Sequence, residues 1–559
     1  MSNLILEIKD LCIRNKNSGE IILDHISFSV EKQKITGIVG ESGSGKSITA
    51  LSIMGLLPPS LALCHGQILF HFNHQSPDLT TLPYEKMNAL RGKEISMIFQ
   101  EPMSSLNPSM KCGDQVMEPL LFHTRLTKHD ARIKVMELFQ LTGLPEPERI
   151  FSSYPHQLSG GQRQRIMIAM ALSTNPSLII ADEPTTALDV TVQKSIIELL
   201  RQLQKDLSLS VIFISHDLRL LGEIADAIVV MRSGRIIEKN SKIKIFSEPR
   251  QTYTKGLLAC QPPAGSKPER LITIKELEDG ILPTENQVPS SNKKRKENAP
   301  ENKILQINDL SVIYRRSQGA KKHFTALHEL TLTLYRGETL GLVGESGCGK
   351  TTLGKTILLL IDSNSGNIIY KGKNIREMNR QDSRIFRKNV QVVFQDPYSS
   401  LNPRMKTGTV LEEARHLHFP DEKPALRRNK IANLLTRAGM HPKDLEKYPH
   451  QFSGGQRQRI GIVRALVTEP ELIVLDESVS ALDVSVQAQI LNLLNDLKKE
   501  FNLSYLFISH DLAVVRYMSD RIIIMKDGKF EEEGDPDEVY NHPSSAYTKK
   551  LIASIPGSL

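Results

Sequence analysis

Apolar residues along this chain fall into two patterns, and both patterns recur in its two halves. The first is a short unbroken run that ends in polar or Gly residues: KITGIVG at 34–40, SLIIAD at 177–182 and SVIFISH at 210–216. Runs this short and this rich in Ile and Val read as strands buried on both faces, the habit of a parallel sheet. The second is the amphipathic stripe VTVQKSIIELLRQLQKDL at 190–207, a helix between the last two runs that completes a βαβ unit. AIVVMRSGRIIE at 227–238 predicts a hairpin turning at Ser233-Gly234. The run at 34–40 passes into a Gly-rich turn and then a helix. Each half is therefore expected to be α/β. The polar residues stand at the C-terminal ends of the runs, where open parallel sheets bind ligands.

The halves repeat one another in order. GESGSGKS at 40–47 returns as GESGCGKT at 344–351, and FQEPMSSLNPSM at 99–110 as FQDPYSSLNPRM at 394–405. YPHQLSGGQRQRI at 154–166 returns as YPHQFSGGQRQRI at 448–460. DEPTTALDVTVQ at 182–193 returns as DESVSALDVSVQ at 476–487, and FISHDL at 213–218 as FISHDL at 507–512. The last three pairs share an offset of 294 residues, whereas the first is offset by 304. A collinear series of this kind is a duplicated domain, not a solenoid of small units. The halves are expected at 1–263 and 304–559, joined by a flexible linker at 264–303 that is rich in Pro, Ser, Asn and Lys. A short ordered piece is expected near LITIKEL, 271–277.

Composition narrows the class. The chain has 559 residues, 40% hydrophobic and 24% charged, and no run of 18 apolar residues; TTLGKTILLLI at 351–361 is short and carries Lys355. No membrane span is expected. MSNLILEIKDL lacks a basic flank before its apolar stretch and does not read as a secretory signal, which favours the cytoplasm. Cys12, Cys64, Cys112, Cys260 and Cys348 form no CxxC pair, so neither a disulfide framework nor a structural zinc site is expected. The net charge of +8 is mild, Trp is absent and aromatics make up 5%, so no nucleic-acid platform is evident. KKRK at 293–296 sits in a segment with eight Lys/Arg against seven Asp/Glu, which reads as solvated linker.

Several residues carry chemistry. Gly40, Glu41, Ser42, Gly43, Ser44, Gly45, Lys46 and Ser47 fit GxxxxGK[ST], as do Gly344, Glu345, Ser346, Gly347, Cys348, Gly349, Lys350 and Thr351. Glycines let backbone N–H groups approach phosphates, and the helix that follows adds partial positive charge. Lys46 and Lys350 are expected on the β- and γ-phosphates, with Ser47 and Thr351 as Mg²⁺ ligands. Asp182-Glu183 and Asp476-Glu477 end buried strands, where an unpartnered acidic pair is costly and a metal–phosphate site supplies the positive partner. Asp182 and Asp476 are assigned to the metal, Glu183 and Glu477 to the attacking water. His216 and His510 follow buried strands in the same SHDL setting and read as γ-phosphate contacts, although a lone His there is more often structural. Gln100 and Gln395 end β-like runs, where the amide suits metal or water ligation or a surface turn. Ser159, Gly160, Gly161 and Gln162, and likewise Ser453, Gly454, Gly455 and Gln456, open helices and form a second anion-binding terminus in each half. One half needs only one phosphate loop, so this second site is best explained if it serves the nucleotide of the other half.

The six motifs, in this order and in both halves, resemble the Walker A, Q-loop, signature, Walker B, D-loop and switch histidine of ABC ATPases. SSLNP after the Q-loop, YPHQ before the signature, and the tails at 247–263 and 541–556 resemble the oligopeptide/dipeptide/nickel importer ATPases, fused here as in the microcin C and glutathione importer ATP-binding proteins. The resemblance implies two tandem P-loop domains, each a RecA-like parallel-sheet core with an antiparallel β subdomain and a helical subdomain. It implies ATP and Mg²⁺, ATP hydrolysis, two integral-membrane permease subunits, a periplasmic solute-binding protein, and a place at the cytoplasmic face of the inner membrane. It implies an intramolecular head-to-tail pair, with the ATP on Lys46 closed by Ser453–Gln456 and the ATP on Lys350 closed by Ser159–Gln162. The adenine-stacking aromatic fits Tyr314, but Asn15 holds the aligned place in the first half. Ser478 stands where the first half has Pro184. Some peptide-importer ATPases hold an iron–sulfur centre on cysteines near the domain end; only Cys260 lies there, so no cluster is expected.

The rival reading is a soluble twin-cassette protein acting on the ribosome. Such proteins join their cassettes with a long, basic, helical linker, whereas this one is short, near-neutral and broken by Pro. A binding-only switch would have lost a Glu or His from one site, and neither is lost. The solute is left open among peptides, glutathione, nickel chelates and peptide antibiotics.

Overall fold

The computed structural model describes residues 3–100, 105–186, 188–263, 267–281, 302–315, 323–396, 400–480 and 482–555. Parts of SSLNP and of TALD, and KKRK at 293–296, lie outside the described residues. Those residues form two compact units. The first runs to Leu258 and includes Ile274–Ile281; the second includes described residues of Ala259–Thr273 along with the second half.

In the first unit a six-stranded sheet has the order Ile95–Ile98, Leu178–Asp182, Ser210–Ser215, Ile35–Val39, Ala227–Arg232, Arg235–Ser241. The first five strands are parallel and the last closes the sheet antiparallel. Every residue of the strands Ile35–Val39, Leu178–Asp182 and Ser210–Ser215 is buried, as unbroken Ile/Val runs require. Each large aliphatic side chain so buried contributes about 1.5–3 kcal/mol. Gly37 sits where a helix crosses closely: a Cβ there would lie 2.9 Å from Leu221.

A separate antiparallel sheet, ordered Ile21–Glu31, Leu4–Asn15, Leu61–Phe70, shares one apolar core with the parallel sheet. The helices Cys112–His123, Lys128–Leu141, Pro147–Ser152 and Gly160–Leu172 form the helical part. Arg165 ties two of them by donating to the Thr142 carbonyl at 2.5 Å.

The second unit repeats the plan. Its six-stranded sheet has the order Val390–Val393, Leu472–Asp476, Ser504–Ser509, Thr339–Val343, Arg521–Lys526, Lys529–Gly534. Its antiparallel sheet is built on His323–Tyr335, Lys303–Arg315 and Ser365–Tyr370. Within this unit the Asn492 amide brackets Leu271: the Leu271 N–H donates to Asn492 Oδ1 at 3.0 Å, and Asn492 Nδ2 donates to the Leu271 carbonyl at 2.7 Å. A short helix, Ile274–Glu278, follows and belongs to the first unit, overlapping the stretch 271–277 expected to hold an ordered piece.

Candidate functional site

The turn after the strand Ile35–Val39 is shaped by its glycines. Gly43 and Gly45 have φ of 81° and 101°, a region costly for other residues. A Cβ on Gly40 would lie 2.2 Å from the Met231 carbonyl oxygen. The helix Lys46–Ile53 then starts with Lys46 buried. The Lys46 ammonium donates to the Gly40 and Glu41 carbonyls at 2.8 and 3.0 Å and lies 3.8 Å from Glu183 Oε1. Ser42 and Gly43 stay exposed at the lip, while Ser44 is buried.

The neighbouring strand Leu178–Asp182 delivers the acids. Ser47 Oγ donates to Asp182 Oδ1 at 3.2 Å. Glu183 Oε2 accepts from Gln100 Nε2 at 3.3 Å and from Thr186 Oγ1 at 2.9 Å, with His216 Nδ1 at 3.1 Å. Three chain segments, ending at Gln100, Asp182 and Ser215, thus converge on one carboxylate because adjacent parallel strands end at the same level. Glu183 has φ of 46°, a strained conformation costing about 1–3 kcal/mol, held by its N–H donating to Ile214 O at 3.1 Å.

The two adjacent acids are electrostatically unlike. Burial, aided by the Glu183 charge, pushes Asp182 up to about 6 against the Ser47 bond and Lys46. Burial also acts to raise Glu183, but His216, Lys46 and Thr186 outweigh it and carry the carboxyl down to about 2. Glu183 is thus the ionised partner of Lys46, whose charge offsets only part of the burial acting on Asp182.

The second unit builds the same set. Lys350 donates to the Gly344 and Glu345 carbonyls at 2.6 and 2.9 Å, and Thr351 Oγ1 donates to Asp476 Oδ1 at 3.1 Å. Gln395 Nε2 donates to Glu477 Oε2 at 2.8 Å, and His510 Nδ1 lies 3.6 Å from that oxygen. Glu477 also has φ of 46°. Burial raises Asp476, whereas Glu477 is lowered because His510 and Lys350 outweigh its burial. His510 is raised: its burial is outweighed by Glu477 and Asp511. Cys348 Sγ, 3.9 Å from Lys350 Nζ, occupies the place of Ser44.

Other expected residues lie apart from this cluster or on its margin. Tyr314 is 38% exposed, and its hydroxyl is 3.4 Å from Thr352 Oγ1, the third residue of the phosphate-loop helix Lys350–Ile357. Asn15 is used differently: its Oδ1 accepts the N–H groups of Asn17 and Ser18 at 2.9 and 3.3 Å. Ser159 and Gln162 cap each other at the start of the helix Gly160–Leu172, and Ser453 and Gln456 do the same at Gly454–Leu466. Gly161 and Gly455 allow that helix to approach the next one: a Cβ would lie 2.8 Å from Val192 Cγ1 or 2.3 Å from Val486 Cγ1. Two features escaped the sequence reading, Thr186 on the Glu183 carboxylate and a tail tyrosine on each phosphate loop. The tyrosines do recur at the offset of 294 residues, Tyr253 and Tyr547.

A phosphate loop, a basic ammonium, and an acidic pair at the ends of parallel strands define a P-loop nucleotide triphosphatase, present twice. A family model for "ABC transporter" matches residues 23–186 and 327–480, and one for "Oligopeptide/dipeptide transporter, C-terminal region" matches 237–286 and 532–558. The glutathione import ATP-binding protein GsiA of Pectobacterium atrosepticum is 40% identical over 562 residues, covering 99% of this chain and 89% of that protein. The peptidoglycan transport ATP-binding protein YejF of Agrobacterium fabrum is 42% identical over 557 residues, covering 98% of this chain and 96% of its own. GsiA of Escherichia coli K12 is 42% identical over 545 residues, 95% of this chain and 86% of that protein. A solved dimeric bacterial ABC transporter cassette aligns with 42% of this chain and 98% of its own, at 27% identity and a TM-score of 0.38. The chain belongs to the ABC transporter family, as an ATP-hydrolysing ATP-binding protein with two cassettes.

Proposed function

We propose that this chain is the ATPase subunit of a bacterial importer for peptides or related small solutes. It would work at the cytoplasmic face of the inner membrane with two integral-membrane permease subunits, supplied by a periplasmic solute-binding protein. The observation that carries the reading is the same Lys–Ser/Thr–Asp–Glu–Gln–His cluster in both units, each followed by a tail that matches the oligopeptide/dipeptide transporter region. The names of the glutathione and peptidoglycan transport relatives favour a peptide-like solute. No helix among the described residues is long and apolar enough to cross a membrane, which fits a peripheral subunit.

The geometry within each unit supports some of the residue roles, and the others rest on the family resemblance. Lys46 and Lys350 would exchange their loop carbonyls for the β- and γ-phosphates, aided by the N–H groups of 40–47 and 344–351. Ser47 and Asp182 present oxygen donors side by side, as do Thr351 and Asp476, and such hard donors suit Mg²⁺; Gln100 and Gln395, held by their amide nitrogens on Glu183 and Glu477, would add a further oxygen ligand. When bound, that ion would neutralise charge on the phosphates. It would also add to the positive charge that Lys46 brings to Asp182. Glu183 and Glu477, held ionised, would accept a proton from the attacking water, and His216 and His510 would steady the γ-phosphate. Tyr314 would stack on adenine in the second site. Ser159–Gln162 and Ser453–Gln456 would each close over the nucleotide of the other half. The domains proposed are 1–263 and 304–559, with 264–303 as their tether.

The test is affinity purification of the tagged chain from detergent-solubilised membranes, with ATPase assayed on the product. Two co-purifying permease subunits are expected. Ribosomes without permeases would leave the twin ATPase standing and overturn the transport reading.

A further inference from the structure

The tail of each half reaches back to its own phosphate loop. In the first unit the strand Arg235–Ser241 carries Glu238, which is buried. Its carboxylate accepts the N–H groups of Arg250 and Gln251 at 3.0 and 3.1 Å and the Thr254 hydroxyl at 2.7 Å. These bonds fix the start of the helix Thr252–Ala259 against the sheet. From that helix Tyr253, 3% exposed, points its hydroxyl at the phosphate loop, where it accepts the Glu41 N–H at 3.2 Å. The Arg232 guanidinium lies over the ring, 4.8 Å from its centre.

The second unit repeats the main contacts, with Glu532 only partly buried. Glu532 accepts the N–H groups of Ser544 and Ser545 at 2.8 and 3.1 Å, and Tyr547 accepts the Glu345 N–H at 3.1 Å. Lys526 lies over the Tyr547 ring at 5.1 Å.

The bond matters because of what else holds that turn. The Gly40 and Glu41 carbonyls are held by the Lys46 ammonium, and those of Gly344 and Glu345 by Lys350. An incoming triphosphate competes for the ammonium and frees both carbonyls. The tyrosine bond goes to the Glu41 or Glu345 N–H, a different group of the same turn from the carbonyls that the ammonium holds. We propose that Tyr253 and Tyr547 are positioning residues that fix the first turn of each phosphate loop, so that the C-terminal tail is coupled to nucleotide occupancy. The proposal rests on the phosphate-loop reading above.

Tyr253→Phe and Tyr547→Phe, singly and together, keep the ring and its cation contact and delete only the hydroxyl. A net hydrogen bond of this class corresponds to about a 2- to 12-fold change in affinity. The double variant is expected to raise KM for ATP by that factor with kcat within about twofold, the signature of lost ground-state binding. Tyr517→Phe is the control: that hydroxyl donates to Asn492 at 3.1 Å, away from the loop, so it should lower stability and leave KM alone. In the wild-type full chain, ATP should slow amide hydrogen exchange in Thr252–Ala259 and Ala546–Ala553; this readout serves even where a variant fails to fold. An unchanged KM in the folded double variant, or tail exchange indifferent to ATP, would overturn the coupling. A wild-type chain that bound no ATP would overturn the phosphate-loop reading itself, a result distinct from normal binding by wild type and variant alike.

Discussion

Replacing Glu183 and Glu477 by Gln removes two charges and little else. Glu183 Oε2 accepts from Gln100 and Thr186 and faces His216, and an amide oxygen placed there keeps all three neighbours. The new NH₂ is a donor facing the Lys46 ammonium, so the 3.8 Å ion pair is lost, while Lys46 keeps its bonds to two loop carbonyls. What is lost is a carboxylate kept ionised by His216, Lys46 and Thr186, which can accept a proton where a neutral amide cannot. A positioned general base contributes about 10²- to 10⁴-fold. The double variant should therefore release phosphate about 10²- to 10⁴-fold more slowly at saturating ATP. Its ATP affinity, read by equilibrium dialysis, should stay within about threefold or tighten, because a negative charge beside the phosphates has gone. Each single variant should lose at least about half the rate, and more if the sites turn over as a coupled pair. A double variant that kept more than about a tenth of wild-type turnover would refute the assignment of the base.

Four further outcomes follow from other parts of the molecule. Arg415 is 1% exposed and donates to the Val467 carbonyl at 2.8 Å and to Glu422 at 2.9 Å. Arg415→Ala strands Glu422 with Lys430 as remaining partner at 2.8 Å, so the second unit should lose about 3 kcal/mol in denaturant unfolding, the low end for a broken buried pair. Arg415 holds Glu422 down to about 2, from an ordinary value of 4.5, against its burial. A lowered carboxyl stabilises the fold above its ordinary value and loses that contribution as pH falls from about 4.5 towards 2; Glu422→Gln should flatten the melting profile in that window. Tyr314→Ala should weaken ATP binding at the second site about fivefold, the worth of roughly 1 kcal/mol of ring stacking, and isothermal titration should then show two sites closer in affinity. Gly455→Ala should cost more stability than Gly161→Ala, because its Cβ meets Val486 at 2.3 Å rather than Val192 at 2.8 Å, with overpacking worth about 1–3 kcal/mol.

The parallel core was legible because burial on both faces writes itself as unbroken apolar runs. Strands expected at 34–40, 177–182 and 210–216 are found at Ile35–Val39, Leu178–Asp182 and Ser210–Ser215, and the hairpin turns at Ser233-Gly234, both with positive φ. The cluster around Glu183 was legible from its parts, since each motif ends a strand and adjacent strand ends meet in space. The tail tyrosines were not legible as site residues. Tyr253 lies 212 residues from Glu41, and no local pattern says that a helix pinned by Glu238 turns its hydroxyl to a loop so far away. The antiparallel sheet hid its register in the same way: Asp10 and His25 sit at φ of 51° beside register shifts, which periodicity does not reveal. Thr186 carries no pattern of its own in DEPTTALDVTVQ, and only the turn after the strand brings its hydroxyl onto the Glu183 carboxylate three residues earlier.

Uptake in intact cells tests the central claim most directly. Cells lacking the chain are supplied with the wild-type protein or with Glu183→Gln/Glu477→Gln, and accumulation of labelled short peptides is followed. The account predicts accumulation with the wild type and none with the variant, although both proteins are recovered from the membrane fraction in equal amount. Equal accumulation with both, or none with either across peptides and glutathione, would contradict the claim that hydrolysis at these two sites powers import.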